Sequence, residues 1–299
     1  PRSPDTVKSL VASHEQFLLE YPDVAMHNFK HHYAIASNRS FLSGDQYKQF
    51  CENEGLDFRE VSKHKALNTN TSDVTVEVNE SLIDFWQLRA ACAKKLSASR
   101  VILRLLTKFR RHDVDKFDFV VNCTYANLNS ILPDSLQSDY QFEVCEKIIV
   151  KPSPNLKGES IVLMDGPFMC FDPLGSTGLS LMGNVVHALH HTNVGRTPII
   201  PQDLKSVLNV GPVRNPPRSA FNDFIESALE FFNDVEECEY VASMFTVRTV
   251  LPNLEKTDAR PTAVTRVSEK IINVFSGKLD TCVVAAHKVE KIIQEESCK

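Results

Sequence analysis

The scarcest residue constrains this chain most. Only 10 of its 299 residues are glycine, about half the usual frequency of roughly 7%. The first is Gly44. A dinucleotide-binding βαβ unit turns from its first strand into its first helix through Gly-x-Gly-x-x-Gly, because only glycine lets the backbone approach a pyrophosphate that closely. No such string follows an N-terminal strand here. A phosphate loop of the G-x-x-x-x-G-K-[ST] kind is excluded at the one Gly-Lys in the chain: Gly277-Lys278 is followed by Leu279, and Ile272 stands where the first glycine is required.

The formal charge of −5 gives no basic field for nucleic acid, and no apolar run reaches the length of a membrane span. The eight cysteines contain no C-x-x-C pair, and most lie in apolar runs. They read as reduced core thiols of a cytoplasmic protein rather than as disulfides or zinc ligands. The chain opens on PRSPDT without Met or an apolar leader, which reads as an internal start.

Periodicity predicts alternating elements. Ser3 caps a helix that runs to Tyr21, His31 to Ser37 is a strand, and Ser43 caps a helix stopped by Gly55. A helix over residues 82–96 carries Trp86, the one tryptophan. RVILRLLTKF (residues 100–109) reads as a strand. FDFVVN (residues 117–122) reads as a central strand buried on both faces. From Gln141 to Asn184 the strand signals are closely spaced, as in an antiparallel meander. Residues 219–232 have helical spacing and residues 240–250 alternate as a strand. Residues 271–289, IINVFSGKLDTCVVAAHKV, form a closing strand, turn and helix. The expected fold is α/β plus α+β, in two interleaved parts.

Several strings, in this order and spacing, resemble one family. FDFVVNCTYANLN, MDGPFMCFDPLGSTGLSLMGNVVHALHH, FTVRTVLPNLEKTDARPTAV and INVFSGKLDTCVVAAHKV are similar to the FAD-dependent oxidoreductases of the D-amino-acid oxidase/glycine oxidase superfamily. The likeness is closest to a bacterial branch often encoded with surface-polysaccharide genes, and PRSPDT resembles that branch's entry into this region. The resemblance implies a Rossmann-like FAD-binding part at residues 1–29, 76–133 and 262–299. It also implies a mostly antiparallel substrate domain at residues 30–75 and 134–261. The family's glycine-rich βαβ unit would lie upstream of Pro1, so the resemblance makes this chain a fragment lacking roughly 50 residues. The family glycine in the NCTYAN turn is also missing.

On that resemblance the flavin-contacting candidates are Ile102, Thr124, Tyr125, Ser276, Gly277, Lys278 and Leu279. A helix starting after Gly277 would favour negative charge on a reduced flavin. Arg248, in the otherwise apolar or hydroxylated MFTVRTV, needs an anionic partner. That partner is a substrate carboxylate, by resemblance, or a Glu or Asp of the chain. Arg260 is a second candidate for the same role, and Tyr33 a candidate for the pocket wall. His187 and His191, four apart in HALHH, lack the acid of a HExxH metal site, and no metal is expected. The activity implied is oxidation of a C–H beside an amine or hydroxyl in a small, anionic or sugar-derived substrate. The alternatives are a non-catalytic binding module without flavin and an NAD(P)-dependent enzyme on the same Rossmann core.

Overall fold

The computed structural model describes residues 4–164, 166, 169–252 and 261–297. In chain order the helices are α1 (Pro4–Glu20), α2 (Gly44–Asn53), α3 (Phe85–Ala98), α4 (Phe221–Ala228) and α5 (Cys282–Ser297). The strands are β1 (Ala25–Met26), β2 (His31–Ala36), β3 (Phe58–Glu60), β4 (Ser72–Val78), β5 (Leu82–Ile83), β6 (Val120–Asn122), β7 (Tyr140–Lys151), β8 (Ser160–Met164), β9 (Met169–Pro173), β10 (Ser180–Asn184), β11 (Leu189–Gly195), β12 (Glu239–Val250), β13 (Ala263–Arg266) and β14 (Ile271–Phe275). The strands β6 to β11 follow one another without an intervening α-helix, and the fold is mixed α/β. The expected cap at Ser3 and the candidate Arg260 lie outside the described residues.

Local chemistry explains several boundaries. α2 starts at a reciprocal capping box: Ser43 Oγ accepts from the Gln46 N–H, and the Gln46 side chain accepts from the Ser43 N–H. It stops at Gly55, whose φ of 66° few other residues adopt readily. α3 is capped by Asp84, which accepts from the N–H groups of Trp86 and Gln87.

Nine strands form one sheet in the order β11-β7-β10-β9-β8-β2-β4-β3, with β12 paired along the other edge of β7. The strands between residues 140 and 184 pair antiparallel, as expected, and the sheet as a whole is mixed because β2 and β8 run parallel. Residue alternation gives it two unlike faces. One face carries Ala34, Ile148, Val150, Ile161, Leu163, Met169, Phe171 and Met182, which pack with Phe224, Ala228, Phe231 and Phe232 at and after α4 into the largest core cluster. The opposite face carries polar groups through its middle: His31 and Tyr33 on β2, Ser160 on β8, Cys170 and Asp172 on β9, Glu143 and Lys147 on β7, and Arg248 on β12.

The second sheet has three strands in the order β13-β14-β6, and β14 pairs in parallel with β6, some 150 residues away in sequence. α5 follows β14 through a corner and a short 3-10 turn at Leu279–Thr281, as the closing strand, turn and helix expected from sequence.

Two expectations are corrected. Residues 100–109 form no strand, and Ile102 is 80% exposed. A β-prone segment becomes a strand only when a partner satisfies its backbone, and none reaches this one among the described residues. The buried central strand expected over residues 117–122 is shortened to β6, which occupies an edge of its sheet with Val121 39% exposed.

Candidate functional site

The parallel pair β6/β14 brings two distant turns together. Both strands end at the same side of the sheet, and open α/β sheets gather their ligands at such strand ends. β6 ends in Asn122-Cys123-Thr124-Tyr125 and β14 in Phe275-Ser276-Gly277. The ends are locked by a buried amide pair: Asn122 Nδ2 donates to Asn273 Oδ1 (2.9 Å) and to Leu128 O (2.8 Å), and Thr124 Oγ1 donates to Asn122 Oδ1.

Tyr125 adopts φ of 53°, a left-handed conformation that costs a non-glycine residue on the order of 1 kcal/mol. The strained backbone is held from outside, since Tyr125 Oη accepts the N–H of Thr249 on β12 (3.1 Å). That bond ties the small sheet to the large one. A small cavity at the junction is lined by Tyr125, Arg248, Thr249, Phe275 and Gly277. Three of the candidates read from sequence, Tyr125, Arg248 and Gly277, therefore meet at one place.

The Ser276–Lys278 corner is internally bonded. The Gly277 N–H donates to Thr262 Oγ1 (3.2 Å), and Ser276 Oγ and Thr281 Oγ1 both donate to Lys278 O. Asp280 stands in the first turn after it, 3.7 Å from His14, so this helix start already faces a carboxylate of the chain. Ser276 faces a different space, a groove of about 560 Å³. Val121, Cys123 and Val274 form its floor, and Ala285, Val289 and Ile293 of α5 form its wall. Leu279 is half exposed. Ile102 lies in the irregular 100–109 segment, away from both cavities.

Arg248 has a partner within the chain. Its Nε donates to Glu143 on the neighbouring strand β7, directly opposite in register. Glu143, nearly buried, also accepts from Gln141 Nε2 (2.8 Å). Tyr33 Oη donates to Glu80 (2.6 Å); burial and that carboxylate hold its phenol well above the ordinary range.

The histidines of HALHH are not on a helix. His190 contacts Glu146 at 2.8 Å, and the His187 N–H donates to Asn184 Oδ1. Glu146 is fully enclosed and also receives Ser219 Oγ (2.5 Å), Ser243 Oγ and the Ala220 N–H (2.9 Å). Burial alone would raise its pKa, yet these hydrogen bonds outweigh it and the carboxyl stays below its ordinary value. A second cluster joins His32, His64 and Glu159. His64 Nδ1 accepts the Ala66 N–H (3.2 Å), which leaves Nε2 protonated and pointing at Glu159 (3.4 Å). The cluster is therefore hydrogen-bonded in a way that withholds the Nε2 lone pair from a metal.

Sequence reasoning missed the polar row on β7. Glu143, Cys145 and Lys147 recur at every second position of YQFEVCEKIIVK, interleaved with Phe142, Val144 and Ile148 and broken on the apolar side by Glu146. That alternation was the available signal for a second, polar sheet face.

Comparison with known proteins places this geometry. No family model matches the chain. It is 23% identical over 289 residues to a FAD-dependent monooxygenase, FPY4, of Fusarium mangiferae, covering 94% of this chain and 74% of that protein. Among solved structures, glycine oxidase from Geobacillus kaustophilus superposes with a TM-score of 0.64 at 13% identity, covering 97% of this chain and 78% of the other. Fructosamine oxidase from Aspergillus fumigatus gives 0.58 at 9% identity, covering 94% and 70%. Iminodiacetate oxidase from Chelativorans sp. BNC1 gives 0.57 at 10%, covering 91% and 74%.

The fold is the one these structures share. No helix among the described residues is long and apolar enough to cross a membrane.

Proposed function

We propose that this chain supplies the substrate sheet and part of the cofactor site of a FAD-dependent oxidoreductase. The substrate would be a small molecule oxidised at a C–H beside an amine or hydroxyl. The observation that carries the reading is the junction itself: the C-terminal ends of the parallel pair, Tyr125 in its strained turn, and Arg248 from the polar face of the large sheet all line one cavity. The printed names of the similar structures, oxidases of glycine, iminodiacetate and fructosamine, support an amine-bearing substrate. FAD, when bound, accepts the hydride; the chain's task is to hold the substrate's C–H in line and keep water away.

In this reading Thr124, Tyr125, Ser276 and Gly277 border the flavin, with Lys278 and Leu279 at the helix start beyond. Tyr33 belongs to the substrate wall, and Arg248, its charge matched by Glu143, faces the substrate. Residues 30–75 and 134–261 form the substrate part, and residues 1–29, 76–133 and 262–299 the cofactor part.

We further propose that the small sheet is completed at the open edge of β6 by a βαβ unit carrying the glycine-rich pyrophosphate loop, from residues outside these 299. Three features support this. Among the described residues β6 has a neighbour on one side only. The groove between β6 and α5 is almost wholly apolar-walled. α3 has no buried residue and exposes Phe85 and Trp86, as the 101–109 segment exposes Val101, Ile102, Leu103 and Leu105; apolar surface on this scale marks a contact face.

The test is flavin uptake. The 299-residue chain and the product of the whole reading frame that encodes it are each purified, incubated with FAD, and read by absorbance near about 450 nm, where oxidised flavin absorbs. Flavin retained by the longer product supports the proposal. A longer product that stays colourless after incubation removes it.

A further inference from the structure

The polar face of the large sheet holds a second cation that nothing above has used. Lys147 lies on β7 on the same face as Glu143 and Arg248. It is four residues from Glu143, about 13 Å along the strand. Lys147 is an exposed residue of that face.

Its surroundings are built for it. Register places Lys147, Gly183 and Cys170 in one row across β7, β10 and β9, and the lysine lies over Gly183 so that Nζ comes 3.7 Å from Cys170 Sγ. A Cβ on Gly183 would overlap the Cys170 sulfur and stand 2.6 Å from Lys147 Nζ. Gly183 does not need a left-handed backbone; its missing side chain is what leaves room for the ammonium.

Among the described residues the ammonium has no carboxylate in direct contact. Burial pushes the Cys170 thiol up to about 11, so it is neutral at physiological pH and no counter-ion. Burial acts to lower the pKa of Lys147, but Cys170 and Asp172 beside it more than offset this and hold it above its ordinary value. Asp172 accepts instead from Ser160 Oγ (2.9 Å). Among the described residues no carboxylate oxygen lies within 4.0 Å of Lys147 Nζ. Arg248, by contrast, is paired with Glu143. An exposed ammonium on this face with no carboxylate in contact is open to an incoming anion.

We propose that Lys147 is the residue that binds the anionic group of the substrate, and that Gly183 is the position that lets it do so. This rests on the reading of the sheet's polar face as the substrate wall, and it selects carboxylates over their neutral amides. With Arg248 ion-paired to Glu143, Lys147, which has no carboxylate in contact, supplies the charge that makes this selection.

The test is calorimetric titration of the protein, flavin-loaded where it takes up FAD, with acetate, glycolate and benzoate, each against its neutral amide, at low salt. The expected result is that carboxylates bind and the amides do not. Lys147→Met then loses on the order of tenfold or more in carboxylate affinity. Lys147→Arg keeps most of the affinity, and Gly183→Ala, where it folds, weakens it by crowding the ammonium. Equal binding of carboxylates and amides, absence of carboxylate binding, or wild-type affinity in Lys147→Met would each overturn the proposal. Flavin uptake is read separately by absorbance on the product of the whole reading frame, so a longer product that stays colourless, with carboxylate binding that still requires Lys147, would sink the oxidoreductase reading and leave this one intact.

Discussion

Acid should weaken this protein well before its carboxylates titrate, and His32 is the reason. Its side chain is only 5% exposed, and Nδ1 is enclosed without a hydrogen-bond partner. Burial, reinforced by the neighbouring His64, holds its pKa down to about 4, against an ordinary value of 6.5. The folded state thus resists a proton that the unfolded chain accepts. The stabilisation from a neutral His32 is complete above pH 6.5 and is lost as pH falls through about 4. Linkage between these two values gives a loss of about 2 kcal/mol between pH 7 and pH 5, and about 3 kcal/mol once both states are protonated. The assay is chemical denaturation of the wild type and His32→Leu at pH 7, 6 and 5. The variant has no proton to take up at this position, so its stability should fall by about 2 kcal/mol less than the wild type's over that range, whatever leucine costs at pH 7. The comparison cancels His64 and Glu159, present in both. Parallel pH curves for the two proteins would refute the reasoning.

The Arg248–Glu143 pair should be asymmetric. Glu143 is the more enclosed partner, so Arg248→Met, which strands it, should cost roughly 3 kcal/mol, and Glu143→Gln less, by thermal or chemical denaturation. Glu146→Gln should cost roughly 2–4 kcal/mol, because an amide NH2 would face donors that now meet a carboxylate; retention of wild-type stability would show that the network relaxes. Tyr125→Phe should cost roughly 1–2 kcal/mol by leaving the Thr249 N–H without its acceptor, and a denaturation midpoint matching the wild type would show that water replaces the phenol. Below these, acid should act again through Glu159. Burial opposes its ionisation, but His64 and Lys65 bring its pKa to about 2; the associated stability is present above about 4.5 and disappears as pH falls through about 2.

What could be read from sequence was what short-range chemistry decides. The capping box at Ser43, the strand at His31–Ala36 and the strand–turn–helix after Ile271 each carry their signal within a few residues. What could not be read depends on partners far away. RVILRLLTKF has the composition of a strand, but composition does not supply a neighbour. Arg248 looked like a cation in search of an anion, and its anion lies 105 residues earlier, on β7. The left-handed turn at Tyr125 has no local cue at all, because tyrosine there is tolerated only through the Thr249 bond from another sheet. Of the candidate site, the meeting of β6 and β14 strand ends was legible by resemblance, whereas the polar row running to Lys147 emerges only when registers across β7, β10 and β9 are known.

The exposed segment at residues 101–109 also bears on how the protein behaves in concentrated solution. Val101, Ile102, Leu103 and Leu105 lie open in a backbone without strand partners among the described residues, the composition that seeds cross-β stacking between molecules. Its protection is electrostatic: Arg100, Arg104 and Lys108 recur every four residues and place like charges side by side in any in-register stack of copies. That protection weakens as salt screens the repulsion, so the 299-residue chain should be most soluble at low ionic strength and gain salt tolerance whenever this strip is covered.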